Sequence, residues 1–207
     1  MKKALFTFLA TLVFVSAGLS AASGWSTAVK QAAKSILVIQ GSQGSCTGFP
    51  IDSKRHYVLT AAHCDFSGPG LTPLIDKLPG KVVFKDAKKD LMVYEVERLD
   101  RPVLKLALKN PEIGDEVASF GYGLALNEPL FRITHISATN VMIPFDGIGG
   151  PFIFTDTDFV GGQSGGPVID QTGAVVMIVQ MGTQGVGIGV GVETIRDAVE
   201  KFIEETK

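Results

Sequence analysis

The chain has 207 residues, 24 of them glycine, and a formal net charge of −2. That length buries a real core, as one domain or as two small barrels sharing a cleft. The near-balanced charge gives no basic footprint, so nucleic acid is not an expected partner, and the chain has no like-charge blocks, low-complexity tracts or solenoid-type repeats.

The N-terminus reads as a secretory leader. Met1-Lys2-Lys3 is a positive start, Ala4 to Val15 is apolar, and Ser16 to Ala22 is small and weakly polar. Ser20-Ala21-Ala22 places the expected cut after residue 22, with the mature chain starting near Ser23. The alternative is an uncleaved anchor, but Thr7, Thr11 and Ser16 interrupt a stretch already short for a membrane span. The expectation is an exported protein, secreted or periplasmic, with no stable membrane association once the leader is gone.

Ser26 to Lys34 predicts a short amphipathic helix. Ile36 to Gln40, Gly48 to Ile51 and Tyr57 to Thr60 read as strands, and Asp65 to Pro79 as a Gly/Pro-rich loop. Val82 to Phe84, Leu91 to Val96 and Val103 to Leu108 continue a first sheet, and Pro111 to Glu116 is a turn between halves. Val117 to Tyr122, Phe131 to Ala138, Phe152 to Thr155, Val168-Ile169, Ala174 to Gln180 and Val186 to Val192 form a second set. Apolar Ile195, Val199, Phe202 and Ile203 lie at helical spacing within 193–205. Many short strands with glycine turns predict an all-β barrel protein with a C-terminal α-helix.

Gly161-Gly162-Gln163-Ser164-Gly165-Gly166-Pro167 sets one serine among four glycines. Glycine reaches backbone conformations closed to other residues. Such a turn can present the hydroxyl beside converging N–H groups, the geometry an acyl-transfer nucleophile needs. About a hundred residues upstream lies Thr60-Ala61-Ala62-His63-Cys64. Asp90 opens the apolar run Leu91 to Val96 and is the best carboxylate to orient His63. Asp65, Asp76 and Asp86 are rivals in loop-like surroundings. His56 and His135 read as structural or solvated.

The order His63, Asp90, Ser164, with the motifs around each, resembles the chymotrypsin/trypsin-fold serine proteases from about Ile36 to the C-terminus. The short His63–Asp90 spacing, Gln163 before the serine and Thr155-Asp156 look more like the bacterial HtrA-type and related secreted enzymes. The resemblance implies two six-stranded antiparallel β-barrels (about 36–110 and 111–192) within a protease domain of 23–207 and a helix over 193–205. No PDZ-sized segment follows, so a full HtrA architecture is not expected. The family assigns His63 as base and acid, Asp90 as its orienter and Ser164 as nucleophile. It puts the oxyanion hole at the N–H groups of Gly162 and Ser164. It implies a Cys46–Cys64 disulfide bracketing His63, with protein or peptide substrates and neither cofactor nor metal.

Two positions depart from the family. Gln163 replaces the aspartate that pairs with a freshly cut N-terminus in the digestive enzymes, so activation by that route is not expected. Gln180-Met181-Gly182 replaces the usual Ser-aromatic-Gly, which bears on specificity. Counting back six from Ser164 gives Asp158, which resembles the pocket-floor acid of trypsin-like enzymes; it reads equally as an exposed loop acid. Gly182 and Gly187 would border that pocket and leave it open. The competing classes are a non-catalytic binding protein on this fold and an esterase using the same triad.

Overall fold

The computed structural model describes residues 25–143 and 147–206. The expected leader, residues 1–22, and the expected start near Ser23 lie outside the described residues. Two closed antiparallel barrels of six strands follow one another along the chain. The first contains β1 (Leu37–Gly41), β2 (Gly44–Asp52), β3 (Tyr57–Thr60), β4 (Leu74–Ile75), β5 (Leu78–Asp86) and β6 (Leu91–Val96), in spatial order β1-β2-β3-β6-β5-β4. The second contains β7 (Glu116–Gly121), β8 (Leu130–Val141), β9 (Phe152–Thr155), β10 (Pro167–Ile169), β11 (Val175–Thr183) and β12 (Val186–Gly191), in order β10-β11-β12-β9-β8-β7.

Helix α1 (Trp25–Ala32) precedes the barrels, and α2 (Val192–Glu205) follows them. Trp25, Ala28 and Ala32 are the buried residues of α1, and the indole N–H of Trp25 donates to Glu116 at the start of β7. In α2, Val192, Ile195, Ala198 and Val199 are buried, as their spacing requires. Phe202 then reaches the first barrel, its ring 5.5 Å from Tyr57 and 5.1 Å from Phe84. The last helix thus packs against both barrels and opposes their separation. Burying each large apolar side chain of this kind stabilises by about 1.5–3 kcal/mol.

Each barrel has its own core. Leu37, Ile39, Val58, Ile75, Met92 and Tyr94 fill the first. Val117, Ile136, Ile153, Val168, Val176 and Val179 fill the second. A third cluster joins the barrels and helices and includes Phe49, Leu59, Val93, Phe120, Ile178 and Ile195.

One expected strand is corrected. Residues 103–108 do not close the first barrel. They cross to the second, where Leu106 forms a single parallel bridge with Val175, and Val175 N–H donates to Lys105 C=O at 2.8 Å. The sixth strand of the first barrel is the two-residue β4, inside the segment expected to be loop. The parallel crossing leaves no periodic mark in the sequence, and a two-residue strand is too short to show alternation.

Candidate active site

His63 sits in a single 3-10 turn, Ala62–Cys64, directly after β3, whose four residues are all buried. The turn is held from two sides. Cys64 is bonded to Cys46 on β2, with Cα atoms 6.0 Å apart. The Tyr94 hydroxyl donates to Cys64 C=O at 3.0 Å, and burial pushes that phenol up to about 12. Asp90 stands at the head of β6 and is 1% exposed. Its Oδ1 accepts the backbone N–H of His63 at 2.8 Å, and its Oδ2 faces His63 Nδ1 at 2.8 Å. An ionised carboxylate only accepts, so it holds the ring proton on Nδ1 and leaves the Nε2 lone pair free. The imidazole stays 43% exposed, open to a substrate.

The rival carboxylates are engaged elsewhere. Asp65 binds Ser67 and Lys85, Asp76 binds Arg101, and Asp86 accepts from the N–H groups of Lys88 and Lys89. Cys46, His63 and Cys64 bring their side-chain heteroatoms within 4.8 Å of one another. The disulfide uses both sulfurs, so no thiolate remains there to ligate a metal.

The serine turn comes from the second barrel, between β9 and β10. Gly162 has φ +97, and a Cβ on it would lie 2.2 Å from Tyr122 C=O. Gly165 has φ +79, and its Cβ would lie 2.1 Å from Thr60 Oγ1. Neither position admits a side chain. Leu124 N–H donates to Gly161 C=O at 3.0 Å. In a trans peptide the Gly162 N–H therefore points the opposite way. Among the described residues neither Gly162 N–H nor Ser164 N–H donates a hydrogen bond, leaving two donors free beside the serine.

Gln163 is wholly buried. Its Oε1 accepts Val160 N–H at 2.9 Å, its own N–H donates to Val160 C=O at 3.1 Å, and its side chain packs on Gly121 and Gly123. The Gln163 side chain and backbone thus both bond Val160 within the same turn, while Gln163 Nε2 is buried without a hydrogen-bond partner. The Ser164 hydroxyl donates to Gln180 C=O at 3.0 Å in this conformation. Catalytic hydrogen bonds are commonly unmade without substrate.

Residues not singled out by sequence complete the arrangement. Thr47 on β2, fully buried, donates its N–H to Ser164 C=O at 2.9 Å and its hydroxyl to Gly162 C=O at 2.8 Å. Its Oγ1 also accepts Tyr122 N–H at 2.8 Å. One first-barrel threonine therefore fixes the second-barrel serine turn. A threonine in a strand carries no sequence signal for this. A cleft of about 480 Å³ lies beside His63 and Asp90, walled by Ala87, Ile148, Gln180 and Met181. Two larger cavities, near α1 and residues 102–111, contain none of His63, Asp90 and Ser164.

Asp158, Gly182 and Gly187 do come together, but not as the walls of an open pocket. A Cβ on Gly182 would lie 2.0 Å from Asp158 Oδ1, and one on Gly187 2.5 Å from the Phe159 ring. The glycines let the strands close onto residues 157–159 instead of leaving space. Asp158 Oδ1 is buried there without a hydrogen-bond partner.

The profile of the trypsin-like peptidase domain matches residues 46–178. The chain is 33% identical over 145 residues to a "Probable periplasmic serine endoprotease DegP-like" of Hahella chejuensis, covering 67% of this chain and 30% of that protein. It is 28% identical over 194 residues to "Protease Do-like 1, chloroplastic" of Arabidopsis thaliana, covering 85% and 43%. The chain thus spans under half the length of these relatives. Among solved structures, the active form of the Rv3671c protease of M. tuberculosis superposes with TM-score 0.73 at 24% identity, covering 97% of this chain and 94% of that one. The HtrA-type protease AlgW with a tripeptide gives 0.75 at 20%, covering 88% and 64%. These two likenesses concern the fold. The profile match spans more than half of the chain and runs from within β2 to within β11, enclosing His63, Asp90 and Ser164, and on that ground the chain belongs to the trypsin-like peptidase family.

Proposed function

We propose that this protein is an exported serine endopeptidase working through Ser164, His63 and Asp90. The observation that carries the reading is the doubly bonded Asp90–His63 pair next to a glycine turn in which, among the described residues, neither Gly162 N–H nor Ser164 N–H donates a hydrogen bond. His63 Nε2 takes the proton of Ser164 Oγ as the oxygen bonds to the scissile carbonyl carbon. The developing oxyanion accepts from the N–H groups of Gly162 and Ser164, each typically worth about 3 kcal/mol in the transition state. The imidazolium, held by Asp90, then gives its proton to the leaving amine as the C–N bond breaks. Water repeats the sequence on the acyl-enzyme and frees Ser164.

Export is supported by the leader-like N-terminus and by relatives described as periplasmic. Activity without internal cleavage is supported by Gln163, a neutral side chain whose Oε1 bonds Val160 N–H within the turn where an ion pair would need a carboxylate. The test is labelling by a fluorophosphonate probe together with hydrolysis of a denatured protein. Wild type should label at Ser164, and Ser164→Ala should lose hydrolysis by a factor on the order of 10⁴ or more while staying folded. More than a few per cent residual activity in a folded variant rules the assignment out.

Asp158, Gly182 and Gly187 are proposed as the primary specificity site. The buried, unpartnered oxygen of Asp158 favours a Lys or Arg side chain, which would complete its pairing. Entry requires residues 157–159 to move off the two glycines. Peptides ending their acyl part in Arg should be cleaved faster than Ala analogues, and equal rates would remove Asp158 from this role.

A further inference from the structure

Gln180 lies in β11 and is 1% exposed. It marks the point where β11 leaves the serine turn: Val179 exchanges hydrogen bonds with Gly165 and Gly166, and the Gln180 carbonyl then accepts the Ser164 hydroxyl at 3.0 Å. Its side chain runs the other way. Gln180 Nε2 crosses the barrel interface and donates to Lys89 C=O at 3.1 Å. Lys89 C=O belongs to the peptide bond that leads into Asp90.

That peptide needs holding. Asp90 has φ +52, a left-handed conformation more open to aspartate than to most L-residues but still less favourable than the right-handed one, so hydrogen bonds to the preceding peptide help to set it. From within the first barrel, Asp86 accepts the N–H groups of Lys88 and Lys89. From the second barrel, Gly149 N–H donates to Lys88 C=O at 2.8 Å, and Gln180 takes the next carbonyl. The remaining amide oxygen of Gln180 is buried with no partner. A polar side chain kept at that cost between the barrels calls for a purpose beyond packing.

We infer that Gln180 is a positioning residue that links the two halves of the site: its backbone carbonyl accepts the resting Ser164 hydroxyl, and its side chain holds the peptide that leads into Asp90. This rests on the triad reading above. Neither end requires Gln180 to touch substrate. Its effect is on the geometry of Asp90 and, through Asp90, on the His63 imidazole.

Gln180→Leu nearly preserves volume and removes the amide. If Gln180 only fills space, the variant should match wild type. If it positions Asp90, kcat on a short peptide substrate should fall about fivefold, the equivalent of one hydrogen bond. KM should stay within about twofold and the thermal unfolding midpoint should not drop, because this change alters the transition state and not uniform binding. Should Gln180→Leu fail to fold, Gln180→Met takes its place with the same expectation. A folded variant with kcat within about twofold of wild type overturns the inference. So does a raised KM with kcat preserved, which would make Gln180 a substrate contact. Wild-type protein that does not label at Ser164 would instead remove the triad reading on which the inference stands.

Discussion

In the first barrel, His63 and Asp90 are fixed by side chains and a covalent bridge. The carboxylate makes two bonds to one residue, a disulfide closes the turn, and a buried tyrosine caps it. In the second barrel, Ser164 and its neighbours are fixed mainly through their own backbone groups, which bond other backbone groups and the side chains of Thr47 and Gln163. Leu124 N–H, Val179 and Thr47 of the opposite barrel hold the carbonyls and amides of the glycine turn. The difference follows from the chemistry each half performs. A base needs one side chain held in one tautomer, which a buried carboxylate does. An oxyanion hole needs two backbone N–H groups left free, so the other backbone groups of the turn must be held by partners that leave those two unbonded. The first half should therefore tolerate backbone changes better, and the second half should be sensitive to any added Cβ.

The largest effect that tests this contrast is Gly162→Ala. Its Cβ would meet Tyr122 C=O and its φ is left-handed, so the Gly161–Gly162 peptide should turn away from the oxyanion. We expect kcat to fall on the order of 10²–10³-fold, as for loss of one donor, with the overall unfolding midpoint little changed. Turnover near wild type would show that the turn is not held as described.

A smaller effect, on stability, comes from the first barrel. Replacing both Cys46 and Cys64 with Ala removes a closure of sequence separation 18. Urea unfolding should show a loss of about 3 kcal/mol, while the folded fraction keeps most of its turnover, because Asp90 and Tyr94 still hold His63. Loss of turnover in step with the bridge, without unfolding, would mean that the covalent link and not the carboxylate sets the imidazole.

The smallest effect probes an exposed carboxylate in the second barrel. Asp156 accepts the His135 backbone N–H and the Thr134 hydroxyl, and these, the His135 backbone first, hold its carboxyl down at about 2 against the usual 3.8. A depressed folded-state value means the stabilisation is present above about 4 and is lost as pH falls toward about 2. The side chain is 49% exposed, so solvent weakens the effect. Asp156→Asn should flatten the unfolding midpoint between those two pH values, measured by circular dichroism. An unchanged acid slope would remove Asp156 as its source.

Much of this architecture is legible along the chain. The strands flanking His63 and Ser164 and the last helix stand where hydropathy places them, because each buries a face with the period of its own element. Gly162 and Gly165 announce their left-handed turn, since no other residue fits. Asp90 stands out as the acid that opens a buried strand. Other features are set only when distant segments meet. Residues 103–108 look like a first-barrel strand until the second barrel offers Val175 as a partner. Thr47 and Gln180 are a strand threonine and a strand glutamine until packing brings the other barrel's carbonyls within reach. Gly182 and Gly187, which suggest an open pocket, instead allow close contact with residues 157–159. Local periodicity and backbone permission are properties of the sequence by itself, because each depends only on a residue and its neighbours. Which donors satisfy which carbonyls across the cleft, and whether a glycine makes space or closes it, was decided by the tertiary structure, because those outcomes depend on surfaces many residues apart being packed without voids.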